Sequence, residues 1–187
     1  MKLYAARHGQ TTWNIEGRIL GSTPGELTEK GINQAGELAL HVRSLDPDIT
    51  YASDLLRVAE TAERVQQGSP DLEIVFTDQL RERNFGELEG RLFASMETKW
   101  GKIWDTTCSA RSFYGAESLD AFTLRIARFV SGLHGDMTVL LLCHIGVMNR
   151  LNYLTDPDTF EFISYPNASI IEFDYERILH NSQKLRK

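Results

Sequence analysis

An imidazole beside a guanidinium follows a short apolar segment near the start of the chain, in the motif Arg7-His8-Gly9 after residues 3–6. An imidazole can attack a phosphate ester while a guanidinium holds the anionic oxygens of that ester. A buried strand over residues 3–6 would deliver both groups to its carboxyl end, where open α/β sheets bind ligands. Gly9 has no Cβ and lets the backbone approach such a ligand. The motif predicts a phosphate site; the alternative is a buried or capping histidine with a structural role.

A second histidine, His144, directly follows the most apolar run of the chain, residues 139–143. Such a run is typical of a central strand covered on both faces, so His144 also stands where a buried strand ends. A protonated imidazole there can hold a phosphoryl oxygen. A structural hydrogen bond is the alternative role for this side chain.

An arginine stands in the first turns of a predicted helix, in the motif Ser53-Asp54-Leu55-Leu56-Arg57. The helix dipole disfavours a cation at this end, whereas it favours a bound anion. Arg57 can therefore share an anion with the helix N-terminus. Alternatively, Arg57 is a surface arginine paired with Asp54 or Glu60.

A charged loop over residues 78–90 supplies a carboxylic acid. Glu82 can protonate a departing alkoxide and then deprotonate the water that hydrolyses a phosphoenzyme. Two further acids of this loop, Glu87 and Glu89, are expected to be exposed, because acidic side chains usually face water.

These four motifs together carry two histidines, two arginines and a carboxylic acid. The arginines and one protonated histidine can neutralise a phosphoryl dianion, while the other histidine, in its neutral form, attacks phosphorus in line. This chemistry needs neither a cysteine nucleophile nor a cofactor. No aspartate and histidine cluster has metal-ligand spacing, so no metal is expected.

Apolar periodicity alternates between strand and helix along the chain. Predicted strands span residues 3–6, 48–52, 72–76, 138–143 and 169–173. Predicted helices span residues 28–45 (capped by Thr28), 53–65 (capped by Ser53 or Asp54), 93–104, 118–133 and 145–154. The tail after Tyr175 is expected to be loosely ordered. Strands separated by helices predict an α/β fold, a three-layer α/β/α sandwich with a mostly parallel central sheet.

The composition is that of an ordinary globular protein, and the 187 residues are expected to form a single domain, 1–187. The formal net charge of −6 argues against binding to nucleic acid or to an acidic membrane, because no global positive field attracts polyanions. The start of the chain does not resemble a signal peptide, and the longest apolar run is too short to cross a bilayer. With only Cys108 and Cys143, a cytoplasmic location is expected.

The order and spacing of these motifs resemble the signature of the histidine phosphatase superfamily, also called the phosphoglycerate mutase-like superfamily. The resemblance runs from Met1 to about Phe173 and implies the phosphoglycerate mutase-like fold. The matching segments are Arg7 to Thr11, Ser53 to Arg57 with Thr61, Glu82 to Gly90, Gly115 to Ser118 with Arg125, and His144 to Val147.

The resemblance also implies a role for each matched residue. His8 would be the nucleophile that becomes phosphorylated, and Glu82 would be the general acid and base. The implied ligands of the phosphoryl oxygens are Arg7, Arg57, His144 and Asn14. Candidate contacts to the rest of the substrate are Gly21 and Arg83. The implied partner is a small phosphorylated metabolite, with no metal and no cofactor.

Three positions depart from the family pattern. Gln10 stands where a glutamate is common, and Ile145 stands where many members have glycine beside the second histidine. Gly25-Glu26 stands in place of an aspartate-x-proline-leucine stretch, which puts Gly21 in doubt as a ligand contact. None of these changes removes a catalytic group.

The expected activity is phosphomonoester hydrolysis by a histidine acid-type phosphatase. A phosphoglycerate mutase is the alternative, because Arg83 beside Glu82 could bind a substrate carboxylate. Mutases usually carry extra inserted segments, for which 187 residues leave little room. A non-catalytic phosphate-binding domain is less favoured, because such a domain needs neither a nucleophile nor an acid. A lid or cap over the pocket is expected at about residues 87–115, and the sequence carries no signal for an oligomeric state.

Overall fold

The computed structural model describes residues 1–95 and 115–185, which build a five-stranded sheet with helices on both faces. The strands are β1 (Lys2–Arg7), β2 (Ile49–Ser53), β3 (Ile74–Thr77), β4 (Thr138–Cys143) and β5 (Ile170–Phe173). The helices of the described residues are α1 (Thr12–Glu16), α2 (Glu29–Leu45), α3 (Leu56–Gly68), α4 (Leu119–Ser131), α5 (Ile145–Thr155) and α6 (Tyr175–Lys184). No helix within these residues is long and apolar enough to cross a membrane.

The strands lie in the order β3-β2-β4-β1-β5. The first four are parallel, and β5 runs antiparallel to β1 at one edge. The predicted three-layer sandwich with a mostly parallel sheet is therefore confirmed. In the pairing of β1 with β4, Arg7 lies opposite Cys143, so the segments that follow these two strands leave the sheet side by side.

Strand β4 is the centre of the core, because its side chains are buried on both faces of the sheet. Val139 and Leu141 pack with α4, α5 and α6 on one face, and Leu140 and Leu142 pack with α2 and α3 on the other. This two-sided burial is the reason that the strand is apolar at every position from 139 to 143 rather than at alternate ones.

The tail after Tyr175 is not loosely ordered, and that prediction was wrong. Asp174 caps helix α6, because its side chain accepts a hydrogen bond from the backbone N–H of Arg177. Tyr175 and Ile178 are buried in the core, and the Tyr175 hydroxyl donates to the carbonyl of Leu133 at 2.8 Å. The polar composition of the tail concealed a narrow apolar face with helical spacing.

Other boundaries differ more modestly from the predicted ones. Helix α2 is capped by Thr28 as predicted, but α3 begins after Leu55, without a side-chain cap from Ser53 or Asp54. The short helix α1 was not predicted. The region expected to be a helix over 93–104 begins with a 3₁₀ turn, Phe93–Ser95, and its remainder lies outside the described residues, as does most of the expected lid.

Two glycines allow the loop after β1 to contact helix α2. A Cβ on Gly9 would lie 2.4 Å from the carbonyl oxygen of Gly31, and a Cβ on Gly31 would lie 2.1 Å from the carbonyl oxygen of Gln10. The close neighbour of Gly9 in the structure is thus the backbone of α2. Gly31, which costs helix propensity, is required for this contact.

Replacing Gly31 with alanine is expected to destabilise the protein, because backbone atoms of the loop after β1 must move. The expected loss in the free energy of unfolding is about 1–3 kcal/mol, as for other overpacked sites. Gly36 is the matched control: it is in the same helix and has open space where a Cβ would be. Gly36→Ala should raise the free energy of unfolding by about 0.5–1 kcal/mol. Urea denaturation measures both values, and equal effects would contradict this explanation of Gly31.

Candidate active site

The two histidines meet where β1 and β4 end. His8 follows β1 and His144 follows β4, and the backbone N–H of His8 donates to the carbonyl of Cys143 at 3.0 Å. Their ring centroids are 5.3 Å apart, and the ring planes are inclined at 59°. Both residues are buried, at 3% and 0% exposure. The parallel register of the two strands is what brings the imidazoles together.

The hydrogen bonding of His8 sets the position of its proton. Its Nδ1 lies 2.7 Å from the carbonyl oxygen of Gly9, and a carbonyl only accepts, so Nδ1 carries the proton and Nε2 carries the free lone pair. Burial lowers the pKa of His8 well below its ordinary value, and the positive charges of Arg57 and Arg7 lower it further. His8 is therefore a neutral imidazole whose Nε2 is available as a nucleophile.

His144 is held by a serine of the neighbouring strand. Its Nε2 lies 2.9 Å from Oγ of Ser53, which also accepts the backbone N–H of Leu55 at 3.4 Å. The serine proton can then be donated to Nε2, which leaves the imidazole proton on Nδ1. Nδ1 is buried and has no partner in the described part of the chain. It can donate to an anionic oxygen while the ring stays neutral.

Burial also lowers the pKa of His144 well below its ordinary value, with smaller contributions from Arg57, from the neighbouring His8 ring and from Arg7 and Arg125. Before an anion binds, His144 is thus neutral. Its Nδ1–H can still hold a phosphoryl oxygen, so this contact does not require the protonated imidazole that the sequence argument assumed.

Two guanidinium groups supply the positive charge of the site. Arg57 is 1% exposed and donates to the carbonyls of Gly21 at 2.6 Å and Thr23 at 2.9 Å, while Arg7 donates to the carbonyl of Tyr165 at 2.6 Å. The Nε atoms of both arginines are buried without a partner among the residues described. Burial lowers the pKa of Arg57 to about 10, so the side chain remains charged at neutral pH.

The alternative interpretation of Arg57 as a surface arginine was wrong. Asp54 instead forms an exposed ion pair with Arg81, and Glu60 accepts the backbone N–H of Leu27. Neither acid is the partner of Arg57. Among the described residues its hydrogen-bond acceptors are carbonyl oxygens, which orient the cation without cancelling its charge.

Glu82 lies next to this group of side chains and is 8% exposed. Its Oε1 accepts the backbone N–H of Arg83 at 2.8 Å, and its Oε2 accepts the backbone N–H of Gly146 at 2.9 Å. A Cβ on Gly146 would lie 2.0 Å from Oε1 of Glu82. Glycine at position 146 is therefore what lets the carboxyl group approach the start of α5.

Asn14 is connected to His8 through a residue that the sequence analysis did not single out. The side-chain amide of Asn167 donates both to the carbonyl of His8 at 3.1 Å and to Oδ1 of Asn14 at 3.2 Å. Oδ1 of Asn14 also accepts the backbone N–H of Thr11 in the capping box of α1. These bonds fix the orientation of the Asn14 amide relative to His8. No local sequence pattern marks Asn167, because its partners are distant in the chain.

Thr61 ties two of the motifs together. Its Oγ1 accepts the backbone N–H of Gly9 at 3.1 Å and donates to the carbonyl of Arg57 at 2.7 Å. The loop that carries His8 and the helix that carries Arg57 are thereby joined through one buried hydroxyl.

Glu89 is not a surface acid, and the prediction of its exposure was wrong. It accepts hydrogen bonds from the backbone N–H of Ser22 at 2.8 Å, from the hydroxyls of Ser22 and Thr23, and from the backbone N–H of Phe85. Glu89 therefore holds the loop whose carbonyls bind Arg57. Glu87 is exposed as predicted.

The two candidate substrate contacts occupy different places. Gly21 turns the loop with a φ of 54°, and its carbonyl is used by Arg57. Arg83 is half-buried, donates from Nε to the carbonyl of Glu117 at 2.8 Å and lies over the ring of Phe85. Arg83 thus lies beside the general acid candidate, whereas Gly21 supports Arg57 through its backbone.

The arrangement combines a neutral imidazole, a carboxyl group, one buried cation and one half-buried cation. Such a group can transfer a phosphoryl group to nitrogen and stabilise the charge on its oxygens. Among residues 1–95 and 115–185, no three His, Cys, Asp or Glu side chains are grouped so that they could hold a metal ion. Cys143 is buried, and burial raises the pKa of its thiol, so it is not a competing nucleophile.

A model of the histidine phosphatase superfamily (branch 1) matches residues 3–185. The chain belongs to this superfamily. Enzymes of the superfamily act through a phosphohistidine intermediate. The resemblance inferred from the four motifs is thereby confirmed, and it covers nearly the whole chain.

Similar proteins carry both phosphatase and mutase names. A probable phosphatase of Schizosaccharomyces pombe is 37% identical over 156 residues, which are 81% of this chain and 71% of that protein. An adenosylcobalamin/alpha-ribazole phosphatase of Salmonella typhimurium is 31% identical over 183 residues, which are 95% of this chain and 87% of that protein. The crystal structure of a phosphoglycerate mutase from Thermus thermophilus is similar with a TM-score of 0.74 at 34% identity, covering 93% of each chain.

Replacing Gly146 with alanine is expected to impair activity without unfolding the protein. The new Cβ displaces the carboxyl group of Glu82, whereas alanine in the first turn of α5 does not reduce helix propensity. Turnover of an alkyl phosphate should fall about 10²-fold, the scale of general acid catalysis, with little change in Tm. Gly36→Ala is again the control. Full activity of Gly146→Ala would show that the close approach of Glu82 is unimportant.

Proposed function

We propose that this protein is a phosphomonoester hydrolase that forms a phosphohistidine on His8. The observation that carries the proposal is the state of His8: it is buried and neutral, with its proton held on Nδ1 by the Gly9 carbonyl and Nε2 free to attack. The phosphatase relatives support hydrolysis as the outcome. The substrate class is a small phosphorylated metabolite.

In the first step, Nε2 of His8 attacks phosphorus and the ester P–O bond breaks. The electron pair of that bond goes to the leaving oxygen, which takes the proton of Glu82. In the second step, Glu82 takes a proton from water as the water oxygen attacks phosphorus. The P–N bond then breaks, inorganic phosphate leaves, and both His8 and Glu82 return to their starting protonation states.

The remaining site residues stabilise the charge of the transferred group. Arg7 and Arg57 would hold equatorial phosphoryl oxygens, because their buried Nε atoms have no hydrogen-bond partner among the described residues and their charges act on His8. His144 would donate from Nδ1, and Asn14 from its amide nitrogen, since its Oδ1 already accepts two hydrogen bonds. No metal or cofactor takes part in this proposal, because the positive charge comes from the protein.

Phosphoglycerate mutase is a second candidate function. Arg83 beside Glu82 and the similarity to a Thermus thermophilus phosphoglycerate mutase favour it. A mutase would interconvert phosphoglycerate isomers faster than it releases phosphate. Phosphate release from 3-phosphoglycerate, compared with formation of its 2-phospho isomer, separates the two functions.

The first prediction from this function is an acid-labile, alkali-stable phosphoryl group on the enzyme during turnover. Rapid quenching without acid, followed by mass spectrometry, should locate it on His8, with excess EDTA present throughout. His8→Ala should abolish both the adduct and the activity, whereas His41→Ala, at an exposed position of α2, should change neither. Substantial activity in His8→Ala, or a strict requirement for Mg²⁺ or Zn²⁺, would overturn the mechanism.

The second prediction concerns Glu82 and the leaving group. An alkoxide needs a proton in the transition state, whereas a nitrophenolate needs much less help. Glu82→Gln should therefore reduce kcat/KM by about 10²-fold or more for alkyl phosphates and by much less for p-nitrophenyl phosphate. A general acid in this role is what an acid-type phosphatase requires. Equal losses for both substrates would exclude Glu82 as the proton donor.

A further inference from the structure

Arg150 is a buried arginine that the mechanism above does not use. It is 6% exposed, and its guanidinium carbon lies 5.2 Å from the ring centre of Tyr153 and 4.8 Å from that of Phe160. Within the described ranges, 1–95 and 115–185, it has no hydrogen bond and no ion pair. An arginine buried to this degree is usually paired, because burying an uncompensated charge is costly.

Helix geometry places Arg150 on the side of the site that faces Glu82. Gly146 and Arg150 are four residues apart in α5 and so lie on the same face of the helix. The N–H of Gly146 donates to Glu82, and side chains of a helix lean toward its N-terminus, which brings Arg150 toward that acid. Burial lowers the pKa of Arg150 to about 10, Tyr153 and Glu82 raise it, and the positive charge of Arg83 lowers it.

The position of Glu82 shows where the rest of a substrate must lie. Glu82 protonates the ester oxygen, so the atoms beyond that oxygen extend past Glu82 and away from His8. Arg83 follows Glu82 in the chain, and the charges of both residues act on the Arg150 guanidinium, which is one helical turn after the Gly146 N–H that binds Glu82. Arg150 therefore lies on the side of the site that carries Glu82 and Arg83. A separate cavity of about 380 Å³ between α4 and α5 is lined by Arg150 together with the exposed Asp120.

Stacking explains how Arg150 is oriented, but the N–H groups of its guanidinium have no hydrogen-bond partner in the part of the chain that the structure describes. The rings of Tyr153 and Phe160 pack edge to face, with their centroids 5.6 Å apart. The Arg150 guanidinium lies over both rings. Cation–π contacts use the faces of the rings and do not consume the N–H groups of the guanidinium. A stacked guanidinium with free N–H groups presents a fixed fork, which matches a carboxylate or a phosphate.

We propose that Arg150 binds a second anionic group of the substrate, a carboxylate or a second phosphate, on the leaving-group side of Glu82. This inference rests on the proposed phosphatase function. It narrows the substrate class to phosphomonoesters that carry another anion a few bonds from the ester oxygen. Arg150 is then a specificity residue, and the hydrolysis of neutral phosphomonoesters does not depend on it.

The test compares two substrates that differ only in charge at the distal carbon. In 3-phosphoglycerate this carbon is a carboxylate, and in glycerol 1-phosphate it is a hydroxymethyl group. The wild-type protein should favour the anionic member in kcat/KM, and Arg150→Met should reduce kcat/KM for that member about 10- to 100-fold, as for a lost hydrogen bond to a charged group. The kcat/KM of Arg150→Met for glycerol 1-phosphate should differ from that of the wild-type protein by less than about 2-fold. Propane-1,3-diol bisphosphate, measured in parallel, shows whether a phosphate or a carboxylate is preferred.

Two further variants control the interpretation. Arg128→Met removes an exposed arginine of α4 and should leave the preference unchanged. Arg150→Lys keeps a charge and a long stem without the fork, so it should fold normally and keep only part of the preference. The proposal would be overturned if Arg150→Met lost kcat/KM equally for 3-phosphoglycerate and glycerol 1-phosphate. It would also be overturned if Arg150→Met and Arg150→Lys both kept the wild-type preference for 3-phosphoglycerate.

A binding measurement separates this proposal from the proposed function. In the His8→Ala background, calorimetry should show tighter binding of 3-phosphoglycerate than of glycerol 1-phosphate, and Arg150→Met should remove the difference. If the protein hydrolyses no phosphomonoester, including p-nitrophenyl phosphate, the proposed function fails. The binding difference then still decides whether Arg150 holds an anion: equal binding of the two ligands overturns the inference.

Discussion

One buried and one half-buried guanidinium lie at the carboxyl edge of the sheet, with no ion pair to a carboxylate among the described residues, and the chemistry of the site depends on their positive charge. Arg7 and Arg57 are held by backbone carbonyls, which orient a cation but leave its charge in place. Their charges and the exclusion of water keep both histidines neutral. A phosphoryl dianion restores the balance, so the site is arranged for its ligand before the ligand arrives.

The scaffold has to hold this charge in place, and backbone packing and buried hydroxyls do so. The parallel register of β1 and β4 sets the separation of the two imidazoles. The close contact between Gly9 and Gly31 fixes the loop after β1 against α2, and Thr61 joins that loop to the helix of Arg57. Because Gly146 has no Cβ, the carboxyl group of Glu82 can approach the start of α5 and accept the N–H of Gly146.

Most of the site could be predicted from the sequence because each motif follows an apolar segment that forms a parallel strand. The carboxyl ends of such strands share one edge, so His8 and His144 had to lie close together once the strand order was correct. Their tautomers could not be predicted, because these depend on contacts such as the one between Ser53 and His144, which are 91 residues apart.

Residues whose roles depend on packing between distant segments were missed or misjudged. Glu89 was expected to face water, but it binds a loop more than sixty residues away. Arg150 resembles an ordinary helix arginine in the sequence, and its burial and its stacking on the distant Phe160 become visible only in the folded chain. The helix α6 was missed because the tertiary burial of Tyr175 and Ile178 outweighs a polar composition.

The central claim is that His8 is a neutral imidazole with its proton on Nδ1 before any phosphate binds. Nitrogen-15 NMR of the labelled protein, with the His8 signals assigned by their loss in His8→Ala, reports protonation and tautomer directly. Between about pH 5 and pH 8, the range in which histidine usually titrates, His8 should stay in the neutral Nδ1–H form. Titration of His8 at the ordinary pKa of histidine, or a proton on Nε2, would contradict the account.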